Sequence, residues 1–406
     1  MSNSFVRPAV KFALMFASLL CFQSNSHAQY TNGIYAEFNT SMGSFTCRLE
    51  YALAPKACAN FMGLATGQRY WVDAANGRLR TNQFYNGLIF HRVITNFMNQ
   101  AGSPNGQGTD GPGYAFEDEF NPSLRHDGFG VLSSANSGPD SNGAQFFITV
   151  TNTSWLDNVH TVFGRLYGGS NVVYAINRVP TVGSKPVNDV IIQSVNIRRV
   201  GADAMAFDIN AQGLPVVTNL NAKIARAGTN ISLTFSNRLN VDNRIFTSSD
   251  LAVWTHHELG IETATPVTNT IYASSSGARQ FYQLAQVLYP NTLFPPRKVL
   301  GRVVTIVLTQ GGSGTLIINF NGSGGGNYTI NGAPGSLINY TWKQEPYNGR
   351  LWPISFVGPL DYDMTLLLNF TSATGGMMTG TVYGPPFYYP SDPLAFPVAG
   401  TFTISP

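Results

Sequence analysis

Phe90-His91-Arg92-Val93-Ile94-Thr95-Asn96-Phe97-Met98-Asn99-Gln100 places one arginine five residues before a Phe-Met pair and eight before a glutamine. Such a string sets a fixed cation beside an apolar surface. On its own it is satisfied by a core strand with a snorkelling arginine. Three later segments weigh against that: Ser134-Ala135-Asn136-Ser137-Gly138-Pro139, Asn142-Gly143-Ala144-Gln145-Phe146-Phe147-Ile148, and Trp155-Leu156-Asp157 with His160. Their residue types combine hydrogen bonding to peptide groups with an apolar wall, as a groove for an extended peptide requires.

Outward from these segments the pattern is mainly β. Tyr35 to Phe38 and Phe45 to Leu49 alternate about a turn at Met42-Gly43. Pro55 opens a helix over 56–66, with Ala57, Phe61 and Leu64 at helical spacing and Gly67 as its stop. Residues 68–83 are polar and predict a surface insertion. Strand-like runs follow at 88–94, 97–100, 130–133, 146–149 and 162–166, then a helical stretch at 170–178 and a last strand at 190–198. Many strands with two helices suit a closed β-barrel capped by helices over 29–201.

Beyond residue 201 the chain stays β-rich. Short runs at 231–235, 244–246, 252–254 and 280–284 mark a small unit over 202–298; its Ser248-Ser249-Asp250-Leu251-x-x-Trp254 string with a late Phe281-Tyr282 resembles a β-sandwich module of large secreted bacterial proteins. Pro290, Pro295 and Pro296 form a linker. Apolar runs at 303–308, 315–320, 327–330, 337–342, 351–357, 364–370, 378–383 and 398–404, separated by Gly- and Pro-rich turns, predict an antiparallel β-barrel or meander over 299–406.

Charged residues make up only 11% of the 406 residues and no long basic run appears, which argues against nucleic acid as a partner. Residues 1–28 have the form of a secretory signal: Arg7 and Lys11, an apolar run from Phe12 to Phe22 too short for a bilayer, and Ser26-His27-Ala28 before Gln29. Removing it takes the formal charge from +3 to +1. Leu20 precedes Cys21 where a lipoprotein site wants a small residue, so simple cleavage is expected, with export to the periplasm or outside the cell. No later stretch is long enough for a transmembrane segment. Two cysteines then remain, Cys47 and Cys58; the even count permits one disulfide, and two buried thiols satisfy it equally.

Other motifs fail in context. Gly106-Gln107-Gly108-Thr109-Asp110-Gly111 fits G-x-G-x-x-G, but Pro112 and Gly113 follow where a helix is needed, so a flexible loop beside a cleft is expected. His256-His257-Glu258 lacks a histidine at position 261, which is Ile261, and no Cys/His cluster has zinc spacing. Asp361 and Asp363 are the one close acid pair of the C-terminal unit, and a strand end or turn explains them.

The three strings F-H-R-V-I-x-x-F-M-x-Q, S-x-A-N-x-G-P-x-S-N-G-x-Q-F-F-I and W-L-D-x-x-H-x-x-F-G occur here in order, and through them residues 33–200 resemble a cyclophilin, a peptidyl-prolyl cis-trans isomerase. The resemblance implies that Arg92 is the catalytic arginine and Gln100 the glutamine holding it. It implies a proline pocket walled by Phe97, Met98, Phe147 and Leu156 with His160 at the rim, a substrate-pairing edge at Ala135 and Asn136, a groove residue at Gln145, and a role for Trp155 in binding cyclosporin-type inhibitors. His91 matches a structural position. Proline-containing polypeptides are the implied partners, and rotation about a peptide bond breaks no covalent bond, so neither metal nor cofactor is implied. Thr95-Asn96 departs from the family's frequent Pro-Gly, and Ala101 from its glycine, which puts loop shape and substrate preference in doubt. The competing expectation is a non-catalytic proline-peptide binding or adhesion protein, anchored by its β-rich tail.

Overall fold

The structure is a computed structural model. It describes residues 30–138, 140–227, 230–236, 241–257, 266–272, 281–290, 299, 302–311, 313–322, 325–340, 342–344, 348–357, 363–372, 375–383 and 395–405. The expected leader, Pro139, Glu258, Pro295, Pro296 and Asp361 lie outside the described residues.

Residues 33–200 build an eight-stranded sheet. In chain order its strands are β1 (Gly33–Thr40), β2 (Gly43–Leu49), β3 (Arg92–Ile94), β4 (Met98–Ala101), β5 (Val131–Ser134), β6 (Phe146–Thr149), β7 (Val162–Gly168) and β8 (Ile192–Val200). They lie side by side as β8-β1-β2-β7-β5-β6-β4-β3. The sheet curls until residues just before β3 meet the flank of β8. There Ile89 bridges Ile191, and the Phe90 and Ile192 N–H groups donate to the Val190 and Leu88 carbonyls at 3.0 and 2.7 Å. Alternation along β2 turns Phe45, Cys47 and Leu49 inward.

Helix α1 (Pro55–Thr66) begins on the φ-locked Pro55 and stops at Gly67, whose φ of 72° is cheap only without a Cβ. Glu119 caps its start, its two carboxylate oxygens accepting from the Lys56 and Ala57 N–H groups at 3.0 and 2.8 Å. The helix buries Phe61 among the rings of Tyr85, Phe163, Phe146 and Phe38, at centroid distances of 4.8 to 5.8 Å. Helix α2 (Ser170–Asn177) buries Val172, Val173 and Ile176. Cys47 and Cys58 are both buried free thiols, and Cys58 Sγ donates to the Phe163 carbonyl at 3.3 Å, so the bridge that their even number permits is not formed here.

The 68–83 insertion is less superficial than its polar composition predicts. It folds as a short hairpin, Trp71–Val72 against Leu79–Arg80, with Trp71 and Val72 buried. Trp71 meets Phe84 edge-on at 4.9 Å, and Arg80, held by Asp73 at 2.6 Å, covers its ring.

Two further sheets follow. Val216–Asn219, Phe281–Leu288, Val241–Ser248 and Thr255–His257 form a four-stranded sheet, and Lys223–Ala227, Asn230–Ser236 and Pro266–Tyr272 a three-stranded one. Leu233, Phe235 and Ile245 pack between them, which is sandwich architecture. His256 packs against Phe246 with ring centroids 4.7 Å apart and planes tilted by 36°. From Val303 to Ser405 a nine-stranded antiparallel sheet closes through pairing of Ala333–Asn339 with Asn348–Val357. It fills its interior with its own apolar cluster, Ile306, Ile318, Phe320, Leu366, Phe370 and Phe402 among them. Asp363 opens the strand Asp363–Ser372. The core of the first barrel, by contrast, does not end at residue 201: one cluster runs from it into Leu214, Val217, Ala285, Val287 and Tyr289.

Candidate active site

Strands β3 and β4 form a hairpin in which Arg92 stands opposite Gln100. Opposed residues of an antiparallel pair share a face, and Arg92 Nη1 donates to Gln100 Oε1 at 3.1 Å. Gln100 in turn opposes Phe147 on β6, and Phe147 opposes Ser133 on β5. One cross-strand row therefore carries an exposed cation at one end and a buried ring two strands away. Met98, two residues from Gln100, faces the same way.

The hairpin turn requires Asn96 at φ 61°. Asparagine enters the left-handed region more readily than other residues with a Cβ, so the departure from Pro-Gly keeps the turn. Asn177, at the end of α2, clamps it: its Oδ1 accepts from the Asn96 N–H at 2.9 Å, and its Nδ2 donates to the Ile94 carbonyl at 2.9 Å and to Asn99 Oδ1 at 2.8 Å.

The opposite wall comes from the 3-10 turn Ser154–Leu156 and the residues after it. Trp155, 64% exposed, stacks on Phe97 with centroids 6.0 Å apart. The His160 N–H donates to the Leu156 carbonyl at 3.1 Å, and its ring meets Phe147 edge-on at 5.4 Å. His160 Nδ1 lies 3.0 Å from the Ser134 carbonyl, which can only accept, so Nδ1 carries the proton. Burial lowers the His160 pKa, partly offset by that bond, so the ring is neutral at neutral pH.

Ala135 and Asn136 leave β5 along the groove's edge. The Ala135 N–H donates to the Gln145 carbonyl at 2.9 Å, while Asn136 Nδ2 is committed to the Val159 carbonyl at 2.8 Å. With its amide so engaged, Asn136 offers a peptide its backbone rather than its side chain. Gln145 links the two halves: its Oε1 accepts from Gln100 Nε2 at 3.1 Å, and its Nε2 donates to the Gly108 and Asp110 carbonyls at 3.0 and 2.8 Å. The G-x-G-x-x-G segment is thus a loop on the groove's flank. Beyond Gln100 and Asn136 lies a second pocket of about 530 Å³, lined by the loop Gly108–Tyr114 and by Ser137, Ser141 and Gly143.

Sequence reasoning missed His126. It is wholly buried and stacks on the far face of Phe147 at 5.9 Å. Asp157 Oδ1 receives both its backbone N–H, at 2.8 Å, and its Nδ1, at 3.0 Å, while Nε2 lies 3.0 Å from Ser133 Oγ. Burial depresses its pKa against the pull of Asp157, leaving a neutral ring that fixes the angle of Phe147. His91 is buried too, its pKa lowered by desolvation and then by Arg92.

Such an arrangement binds and polarises; it holds an exposed guanidinium beside an apolar slot and a peptide-pairing edge. Comparison with known proteins agrees over this part of the chain. Residues 35–197 match the family described as cyclophilin type peptidyl-prolyl cis-trans isomerase/CLD. Peptidyl-prolyl cis-trans isomerase B of Streptomyces anulatus is 48% identical over 166 residues, 40% of this chain and 95% of that protein. Peptidyl-prolyl cis-trans isomerase A of Mycobacterium tuberculosis is 44% identical over 166 residues, 40% of this chain and 91% of that one. A crystal structure of a Cryptosporidium parvum cyclophilin type isomerase aligns at 31% identity and a TM-score of 0.37, over 42% of this chain and 100% of its own. Through residues 35–197, this chain belongs to the cyclophilin type peptidyl-prolyl cis-trans isomerase family.

Proposed function

We propose that the chain accelerates rotation about X-Pro peptide bonds in exported polypeptides, acting without covalent intermediates. The observation that carries this reading is Arg92, anchored by Gln100 at 3.1 Å at the open end of the row that leads to Phe147. Turning a peptide bond costs ~18–20 kcal/mol because amide resonance is lost. In the twisted state the prolyl nitrogen becomes more basic, and a donor aimed at it stabilises that state more than the planar one. Among the described residues Gln100 is the hydrogen-bond partner of Arg92, which leaves most of the five-donor fork for a ligand. Phe97, Met98, Phe147 and Leu156 would hold the ring and keep water from the new hydrogen bond, with His160 at the rim. Ala135 and Asn136 would hold the preceding backbone while the prolyl side turns. Trp155, exposed beside Phe97, would be the contact for cyclosporin-type inhibitors.

The leader over residues 1–28 is what supports export to the periplasm or beyond, and a foldase for exported clients is the reading that joins it to the groove. In the unit boundaries we favour, residues 202–298 and 299–406 accompany the isomerase unit as β modules.

A protease-coupled prolyl peptide assay on the full chain tests this. Arg92→Ala should lower kcat/KM at least tenfold, about 1.4 kcal/mol of transition-state stabilisation, with the fold intact. Equal rates for the variant and the wild type would sink the assignment, and an inactive wild type would shift it to a proline-peptide binding module.

A further inference from the structure

The loop Gly108–Tyr114 has two sides. One lines the second pocket; the other rests on the sandwich module and the 68–83 insertion. Val72 N–H donates to the Pro112 carbonyl at 3.0 Å. Gly113, at φ 84°, lies so close that a Cβ there would fall 2.8 Å from Val72 Cβ and 3.1 Å from Arg244 Nη1. Arg244 is fixed in that place by Asp242, whose Oδ2 accepts from its Nε and Nη2 at 2.9 and 2.8 Å. Tyr289, buried at the end of the strand Phe281–Leu288, accepts a hydrogen bond from the Ala115 N–H. Arg69 ties the next residue, donating to the Tyr114 hydroxyl at 3.3 Å and to the Pro215 carbonyl of the segment that leads into the module. Tyr114 passes the link on to Asn60 at 2.7 Å, and Asn60 to the Gly143 carbonyl at 2.8 Å, on the pocket's other side.

We propose that Arg244 and Tyr289, from the sandwich module, are positioning residues for the isomerase groove: they brace the loop Gly108–Tyr114 and so set the shape of the second pocket. The proposal rests on the isomerase reading. Because Ala135 and Asn136 pair with the backbone ahead of the proline, the pocket beyond them takes a side chain upstream of it. The Arg244–Asp242 pair is neutral as a unit, so it acts through shape rather than charge. Gln145 bonds the same loop and Gln100 together, which connects the brace to the residue that anchors Arg92.

The test uses the full chain and peptides Xaa-Ala-Pro-Phe with Xaa as Gly, Leu or Phe. In the wild type the three kcat/KM values define a size preference. Arg244→Ala should change the Leu:Gly or Phe:Gly ratio at least threefold, through KM rather than kcat, and Arg244→Lys should restore part of the wild-type ratio. Ratios that stay parallel to wild type in a folded variant, even if all rates fall together, would overturn the proposal. Should Arg244→Ala fail to fold, Tyr289→Phe, which deletes one oxygen, carries the same expectation and the same refutation. A wild type that leaves all three peptides at the uncatalysed rate overturns the isomerase reading itself, and is told apart by the absence of any ratio to compare.

Discussion

At the scale of single residues, the site divides into side chains whose chemistry declares itself and side chains that act through others. Arg92, Gln100 and Phe147 stand in one cross-strand row, and the contact between the first two is the one that the family resemblance implied. Asn96 stands where the family frequently has glycine, a departure that put the shape of the loop in doubt. Its φ of 61° turns that departure into a test. The left-handed conformation costs a residue with a Cβ about 1–2 kcal/mol, and asparagine offsets part of this through local hydrogen bonding. Asn96→Ala should therefore destabilise the chain by about 1 kcal/mol, whereas Asn96→Gly, which keeps the backbone N–H that Asn177 accepts, should stay within about 0.5 kcal/mol of wild type. Urea unfolding midpoints decide it, and equal midpoints for alanine and glycine would remove the backbone from the account. His126 was illegible for a different reason. Its partner Asp157 is 31 residues away in sequence, its contact with Phe147 is made through the barrel's packing, and no motif spacing marks a residue whose role is to press on another.

Elements were legible where periodicity and punctuation coincide. Pro55 and Gly67 bound α1, and β6 runs over the predicted residues. The 68–83 insertion was misjudged because composition averages over the few residues that matter: Arg69, Trp71 and Val72 are buried, while Gln68, Tyr70, Asn82 and Gln83 are exposed. What no pattern could supply is how one element holds another. Asn177 closes α2 and reaches the β3–β4 turn, where it satisfies the Asn96 N–H, the Ile94 carbonyl and Asn99 Oδ1 together. It is 2% exposed, so water cannot replace it freely. Removing it strands the buried Asn99 Oδ1 and two partly buried backbone groups, at about 1–3 kcal/mol each where they stay unsatisfied. Asn177→Ala should thus cost about 2–4 kcal/mol in chemical denaturation, and Asn177→Leu should recover little of it, since shape without donors leaves the same groups unpaired. Recovery of wild-type stability by leucine would mean that α2 holds the hairpin by packing alone.

For the whole molecule the informative quantity is where the hydrophobic cores begin and end. The three strings that identify the isomerase part stop at Gly164, and the family match stops at residue 197. The apolar cluster does not: Leu214, Val217, Ala285, Val287 and Tyr289 belong to it, while the C-terminal barrel keeps a separate one. Sequence patterns show strands but not which strands share a core, because sharing depends on contacts between segments far apart in the chain. Side chains in one cluster lose their partners together; the sandwich's small cluster of Leu233, Phe235 and Ile245 is tied to the first through the strand Phe281–Leu288, whose Ala285 and Val287 belong to the first and whose Leu284 packs on the small one, whereas the C-terminal barrel's cluster stands apart. Calorimetry of the chain should accordingly resolve two transitions. A chain shortened to residues 30–290 should keep the isomerase transition at its original midpoint. One ending at residue 201 loses Leu214, Val217, Ala285, Val287 and Tyr289 from the cluster that the barrel's own core belongs to. Burying one such side chain contributes about 1.5–3 kcal/mol, and about 2 kcal/mol shifts a transition of this size by roughly 5 °C, so its midpoint should fall by at least that much. An unchanged midpoint at residue 201 would make the sandwich a passenger rather than part of the isomerase core.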